Sequence, residues 1–198
     1  DFVFFELASF EFMNNKKILH IVDEISQRNY SISSIIIYLT NFFNYRHSYN
    51  VRIITLFLDK INFSSTNITD LNNQNLFTKY VEIYRNISRS DIIHIHGYWR
   101  FLHIFSIIFC IINKKFFYIH PHGMLNPQAL FNKGIIFYLS KIFYVYIVKI
   151  FFLSKISFSC ITKDECSAVG FFYRNSKIYL IPNPIFQNSQ SKLLKISF

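Results

Sequence analysis

An α/β fold, with one parallel sheet and helices on both faces, is what this sequence predicts. Short runs of β-branched or aromatic residues alternate with longer segments whose apolar residues recur at helical spacing. Two of the runs, DIIHIH before Gly97 and KKFFYIHPH before Gly123, stop in polar turns that set histidine beside glycine. Strands joined by helical crossovers are parallel, and the crossovers are right-handed. At 198 residues the chain holds one good-sized core, and no internal repeat divides it.

Element by element, KILHIV at 17–22 is the first strand and 23–31 a polar loop. Ile32, Ile35, Ile36, Leu39 and Phe43 then fall at helical spacing, with Ser31 or Ser33 available as N-cap. Residues 51–58 read as the second strand, 59–75 as an exposed connection rich in Asn, Ser and Thr, and 76–87 as a short helix. The strand ending at His96 follows, then a helix over 99–113 and the strand leading to His122. Asn126 caps a helix whose first residue is Pro127, running to about 153 with a break near Gly134. A strand at 156–162, a helix at 163–171 closed by Gly170, and a strand at 177–181 complete a sheet of about six strands. Pro182 and Pro184 stop regular structure, giving a domain over 16–182, an extension or fragment boundary over 1–15, and the start of a linker over 183–198.

Charge narrows the partners. Lys plus Arg number 21 against 11 acids, a net +10 that favours polyanions such as lipid heads and nucleotide phosphates. No run of five basic residues exists, so a nucleic-acid tail is not indicated. Cys110, Cys160 and Cys166 have no close pairing and read as core thiols in a reducing compartment. A spanning helix needs about 20 apolar residues, and the best segment, 135–153, is interrupted by Lys141 and Lys149. The start, DFVFFELASFEF, has no secretory signature, and Met13 looks like a natural start. A cytoplasmic location follows, with peripheral contact on the inner face of a membrane as an option. Lys133, Lys141, Lys149 and Lys155 fall within an arc of about 160° on a helix. Beside Phe137, Tyr138, Phe143, Tyr144 and Phe151 they form either a lipid-facing basic surface or the solvated face of a core helix.

The chemistry gathers at the two strand ends, because ligands of open α/β sheets bind outside the carboxyl ends of the strands. Imidazole at His122 exchanges protons near neutral pH, and His96 ends the neighbouring strand. Gly97, Gly123 and Met124 offer backbone amides. An aromatic face at Tyr98 or Trp99 suits a sugar ring, Trp99 reading equally as packing for the following helix, and Arg100 suits phosphate or carboxylate. His94, flanked by isoleucines, reads as a satisfied core histidine.

Three segments in order, HIHGYWR at 94–100, HPHGML at 120–125 and IPNP at 181–184, resemble the N-terminal domain of glycosyltransferase family 4, the retaining GT-B enzymes of surface-polysaccharide synthesis. The resemblance spans about residues 16–186 and implies a Rossmann-like domain. It further implies that His122 is catalytic, beside the donor sugar, and that His96, Gly97, Trp99, Arg100, Gly123 and Met124 bind substrate. The donor would be a nucleotide sugar and the acceptor a saccharide or lipid-linked hydroxyl. No metal cofactor is expected, since the family's second domain holds the diphosphate; that domain is expected to be missing here, leaving the chain inactive alone. One departure stands out: the loop at 26–31, SQRNYS, lacks the glycines that family members carry there. Thr162-Lys163-Asp164-Glu165 resembles the family's Thr-Ser-Glu-x-Glu turn. Two other readings stay open: a non-catalytic domain that binds acceptor or membrane, and a metal-dependent hydrolase using the His-x-His pairs at 94–96 and 120–122.

Overall fold

The computed structural model describes residues 16–46, 49–59, 67–131, 134–152 and 156–183. The expected extension or fragment boundary at 1–15 and most of the expected linker, 184–198, lie outside the described residues. The described chain alternates β1 (Lys17–Ile25), α1 (Tyr30–Arg46), β2 (Asn50–Leu58), β3 (Ile68–Asp70), α2 (Leu76–Arg89), β4 (Ile92–His96), α3 (Phe101–Ile112), β5 (Phe116–His120), α4 (Pro127–Phe131), α5 (Ile135–Phe152), β6 (Ser157–Cys160), α6 (Lys163–Phe172) and β7 (Lys177–Leu180). Its sheet is parallel throughout, in the order β3-β2-β1-β4-β5-β6-β7, a Rossmann-like α/β fold.

That order has one reversal. The chain winds outward from β1 to β3, then returns to place β4 on the other side of β1. The crevice outside the carboxyl ends of β1 and β4 is therefore the topological switch point, where doubly wound sheets bind ligands.

Four expectations need correction. β3 was read as part of an exposed connection; it is only three residues long and polar, too short to show a strand period, yet Ile68 pairs with Ile53 and Leu71 beyond it is fully buried. β1 runs three residues past the expected end, because Ile25 is buried and pairs with Leu58. Neither Ser31 nor Ser33 caps α1: the helix begins at Tyr30, and the Ser33 hydroxyl instead accepts from the Ser26 amide at 3.3 Å. Gly170 does not close α6, which continues to Phe172 with Tyr173 as its cap. The interruption expected near Gly134 is present, between α4 and α5.

Alternation along the strands sends Ile93, Ile95, Phe117 and Ile119 into the main core with Ile83 and Ile87 of α2 and Leu102 and Ile107 of α3. The even-numbered residues of β4 and β5 face the other way. On α5 the buried side is Val145 and Val148, while Ile135, Ile136, Leu139, Phe143, Tyr146, Ile147 and Ile150 are exposed. Both readings of this helix's outer face change accordingly. Lys141 turns inward, its Nζ 4.7 Å above the Trp99 ring, and leaves an apolar stripe outside. Lys133 and Lys155 lie outside the described residues, and the Phe151 side chain is likewise not described. Among the described residues no helix is long and apolar enough to cross a membrane.

Candidate functional site

Register brings five imidazoles onto one face of the sheet. His20 on β1 pairs with His94 on β4, and His96 pairs with His120 on β5. His94 and His96 are two residues apart and so point the same way. His122, just past β5, extends the set. Their rings stack, with centroids 4.6 Å apart for His96 and His120 and 5.3 Å for His96 and His122. Hydrogen bonds run diagonally: His20 Nδ1 to His96 Nε2 at 2.8 Å, His96 Nδ1 to His122 Nε2 at 3.0 Å, and His94 Nδ1 to His120 Nε2 at 2.8 Å.

Burial holds all five in the neutral form. It drives His20, His96 and His120 well below the usual histidine range and takes His94 to about 4. For His122 burial again lowers the value, and the Glu165 carboxylate opposes it. Close stacking is tolerable for this reason, since charged rings at such spacing would repel. His94 is satisfied by His120, but its isoleucine neighbours do not bury it. They face the opposite side of the sheet, and His94 remains half-buried among histidines and Tyr118.

The turn after β5 has positive φ at two successive residues, +50° at His122 and +75° at Gly123, closed by the Met124 amide donating to the Pro121 carbonyl at 3.0 Å. A left-handed histidine is uncommon and costs roughly 1 kcal/mol, so its surroundings must hold it. Glu165, only 7 % exposed at the start of α6, does this. Its two carboxylate oxygens accept from the amides of Gly123 and Ile161, both at 2.7 Å, and its own amide donates to the Thr162 hydroxyl. The sequence showed Thr-x-x-Glu, the spelling of a capping box. The carboxylate, however, reaches across to the β5 turn.

At the switch point, Asp23 of β1 meets the turn after β4. Arg100 Nε lies 3.1 Å from Asp23 Oδ2, and His103 Nε2 lies 3.5 Å from the same oxygen. The second contact is proximity without hydrogen-bond geometry: among the described residues His103 Nε2 and Asp23 Oδ1 are buried without partners. The Arg100 amide donates to His103 Nδ1 at 3.2 Å, so neutral His103 carries its proton on Nε2, facing the carboxylate. Burial raises Asp23 to about 6, against the pull of Arg100 and with help from Glu24. Burial takes His103 down to about 4.

Gly97 makes room for that imidazole. A Cβ there would sit 2.5 Å from His103 Cε1, and φ is +115°. The amides expected to be bare are engaged: Gly97 donates to the His120 carbonyl, Gly123 to Glu165 and Met124 to Pro121. Trp99 ties the two turns together, its Nε1 donating to the Met124 carbonyl at 3.0 Å, and is half-buried against Tyr98 and Tyr144. Tyr98 is fully buried with its hydroxyl bonded to that of Tyr173, so it offers no face to a sugar. Among the side chains of these turns Arg100 is exposed, 67 % accessible.

The structure thus brings together His96, Gly97, Trp99, Arg100, His122, Gly123 and Met124 across adjacent strand ends, and adds His20, Asp23, His103 and Glu165. His20 and His103 carried no local signal, since only register and a helix turn deliver them. The ladder nitrogens bond to one another, and no group of three or more ligating side chains suited to a metal occurs among the described residues. No protein-family model matches the chain, and no curated protein matches its sequence.

Proposed function

We propose that this chain is the acceptor-side domain of a retaining GT-B glycosyltransferase acting in surface-polysaccharide synthesis. One observation carries the reading. The first two segments that resemble family 4, and residues 181–183 of the third, stand at the carboxyl ends of β4, β5 and β7 of one parallel sheet, and the first two are joined by Trp99–Met124 and His96–His122. His122 is the proton-exchanging group for the acceptor hydroxyl. Arg100 is the exposed cation for phosphate or carboxylate, anchored by Asp23. The donor nucleotide sugar belongs, by the resemblance, to a second domain, and a helix N-terminus with basic groups there neutralises its diphosphate without a metal. A non-catalytic acceptor-binding domain would share this site and differ only in lacking turnover.

The acceptor is proposed to be lipid-linked and met at an anionic membrane surface. The exposed apolar stripe of α5 supports this, as does the absence of any Asp or Glu between Asp91 and Asp164 in the sequence, where Arg100 and several lysines remain.

Amide NMR titration of the chain tests the reading. A lipid-linked or soluble saccharide acceptor should shift the signals of Gly97, Trp99, Arg100 and Gly123, and a nucleotide sugar alone should leave them nearly still. Tight nucleotide-sugar binding with no acceptor response would contradict it.

A further inference from the structure

Neutral imidazole has one N–H and one lone pair, so in a hydrogen-bonded row each ring fixes its neighbour. His96 uses both nitrogens, Nε2 with His20 Nδ1 at 2.8 Å and Nδ1 with His122 Nε2 at 3.0 Å. Only two proton arrangements satisfy both bonds: all three rings protonated on Nδ1, or all three on Nε2. Any mixture sets two N–H groups or two lone pairs against each other.

Protonation selects between them. A His122 cation carries hydrogen on both nitrogens, so its Nε2 must donate to His96 Nδ1. His96 Nδ1 must then be a lone pair, which is the arrangement with every proton on Nε2. In the opposite arrangement His96 already donates to His122 Nε2, and a proton there would meet another. Reversible protonation at His122 that leaves the other two rings undisturbed therefore passes through Nδ1. The charge stays on His122, because Glu165 lies beside it while His20 and His96 are 5 % and 7 % exposed. A cation moved inward would be buried without a counter-ion. The other titratable groups facing the row are His94 and His120 of the adjacent pair.

We propose that His20 and His96 are positioning residues for His122: the three rings act as one tautomeric unit that holds His122 protonated on Nε2 and leaves Nδ1 as its basic nitrogen. That Nδ1 is the basic nitrogen rests on the glycosyltransferase reading, which needs its lone pair free; that the three rings share one tautomer does not. On that reading the acceptor O–H breaks as Nδ1–H forms, the freed oxygen bonds to the sugar carbon as the donor diphosphate leaves, and the proton on Nδ1 passes to that diphosphate.

Long-range ¹H–¹⁵N NMR of the ¹⁵N-histidine-labelled chain above pH 7 reads each tautomer directly. The native chain should show Nε2–H at His20, His96 and His122. His20→Phe removes one hydrogen bond from either arrangement, so in folded protein His96 and His122 should still share one tautomer. His94→Phe, in the other pair, should leave all three rings unchanged. Different protonated nitrogens on any two of the three rings in the native chain, or on His96 and His122 in folded His20→Phe, would overturn the proposal, and a shared Nδ1–H would overturn the choice of nitrogen. Should His20→Phe not fold, the native spectrum decides it. No substrate enters the measurement, so mixed tautomers in a chain with transferase activity would sink this inference alone.

Discussion

The two His-Gly turns look alike in sequence and are built in opposite ways. After β4, Gly97 is roofed by the His103 ring and has no space for even a methyl group. After β5, Gly123 is exposed, with nothing within 4 Å of where a Cβ would stand, and its turn is held from one side by Glu165. One glycine is demanded by packing and the other by backbone conformation alone. The first turn is thus a packed wall and the second an open lip that carries His122, which is where the proposed function sets its reacting group.

Acid should strike both turns hardest. His20, His94, His96, His103, His120 and His122 all have folded values lowered by burial, so the unfolded chain binds more protons than the folded one. Stability should therefore be intact above pH 6.5 and fall as pH drops toward about 4, by up to about 1.4 kcal/mol per unit for each such histidine. Asp23, raised from 3.8 to about 6, works in the other direction between those values and offsets one of the six. Urea unfolding at pH 7.5, 6 and 5 measures this, and equal stability at all three would break the account of a neutral ladder.

Gly97→Ala comes next. The clash with His103 and the positive φ together should cost about 3 kcal/mol or more, read as a fall in the unfolding midpoint. Glu165→Gln should cost about 2 kcal/mol, since one carbonyl oxygen replaces two charged acceptors and one amide is left unmet. It should also loosen the His122 turn, visible as faster amide exchange at Gly123 and Met124. The smallest effect is expected from Gly123→Ala, about 1 kcal/mol of left-handed backbone strain with the fold intact. If Gly123→Ala proves as damaging as Gly97→Ala, the contrast between wall and lip is wrong.

Much of this was legible in the sequence, and the exceptions have physical causes. The parallel sheet followed from alternating periods, and the convergence of HIHGYWR and HPHGML followed from two strands ending alike. β3 escaped because three residues cannot display a period. His94 was read as sheltered by its isoleucines, although residues adjacent in a strand face opposite ways. His20 joins the ladder through its register with His94, 74 residues along the chain, and through its bond to His96. Asp23 looked like loop because it opens a polar run, although the strand continues through it, and Glu165 was read only as part of a turn because its reach across to the β5 turn has no local signal.

The central claim of the proposed function is that the open turn, not the walled one, carries the transfer reaction. It is tested most directly by transfer kinetics of His122→Ala in protein that joins this chain to a donor-binding domain. The account predicts that kcat falls about 10²–10⁴-fold with a smaller change in donor KM, while His94→Ala acts through stability and keeps kcat in the protein that folds. Turnover within a few-fold of native in folded His122→Ala, with His94→Ala folded and inactive, would contradict it.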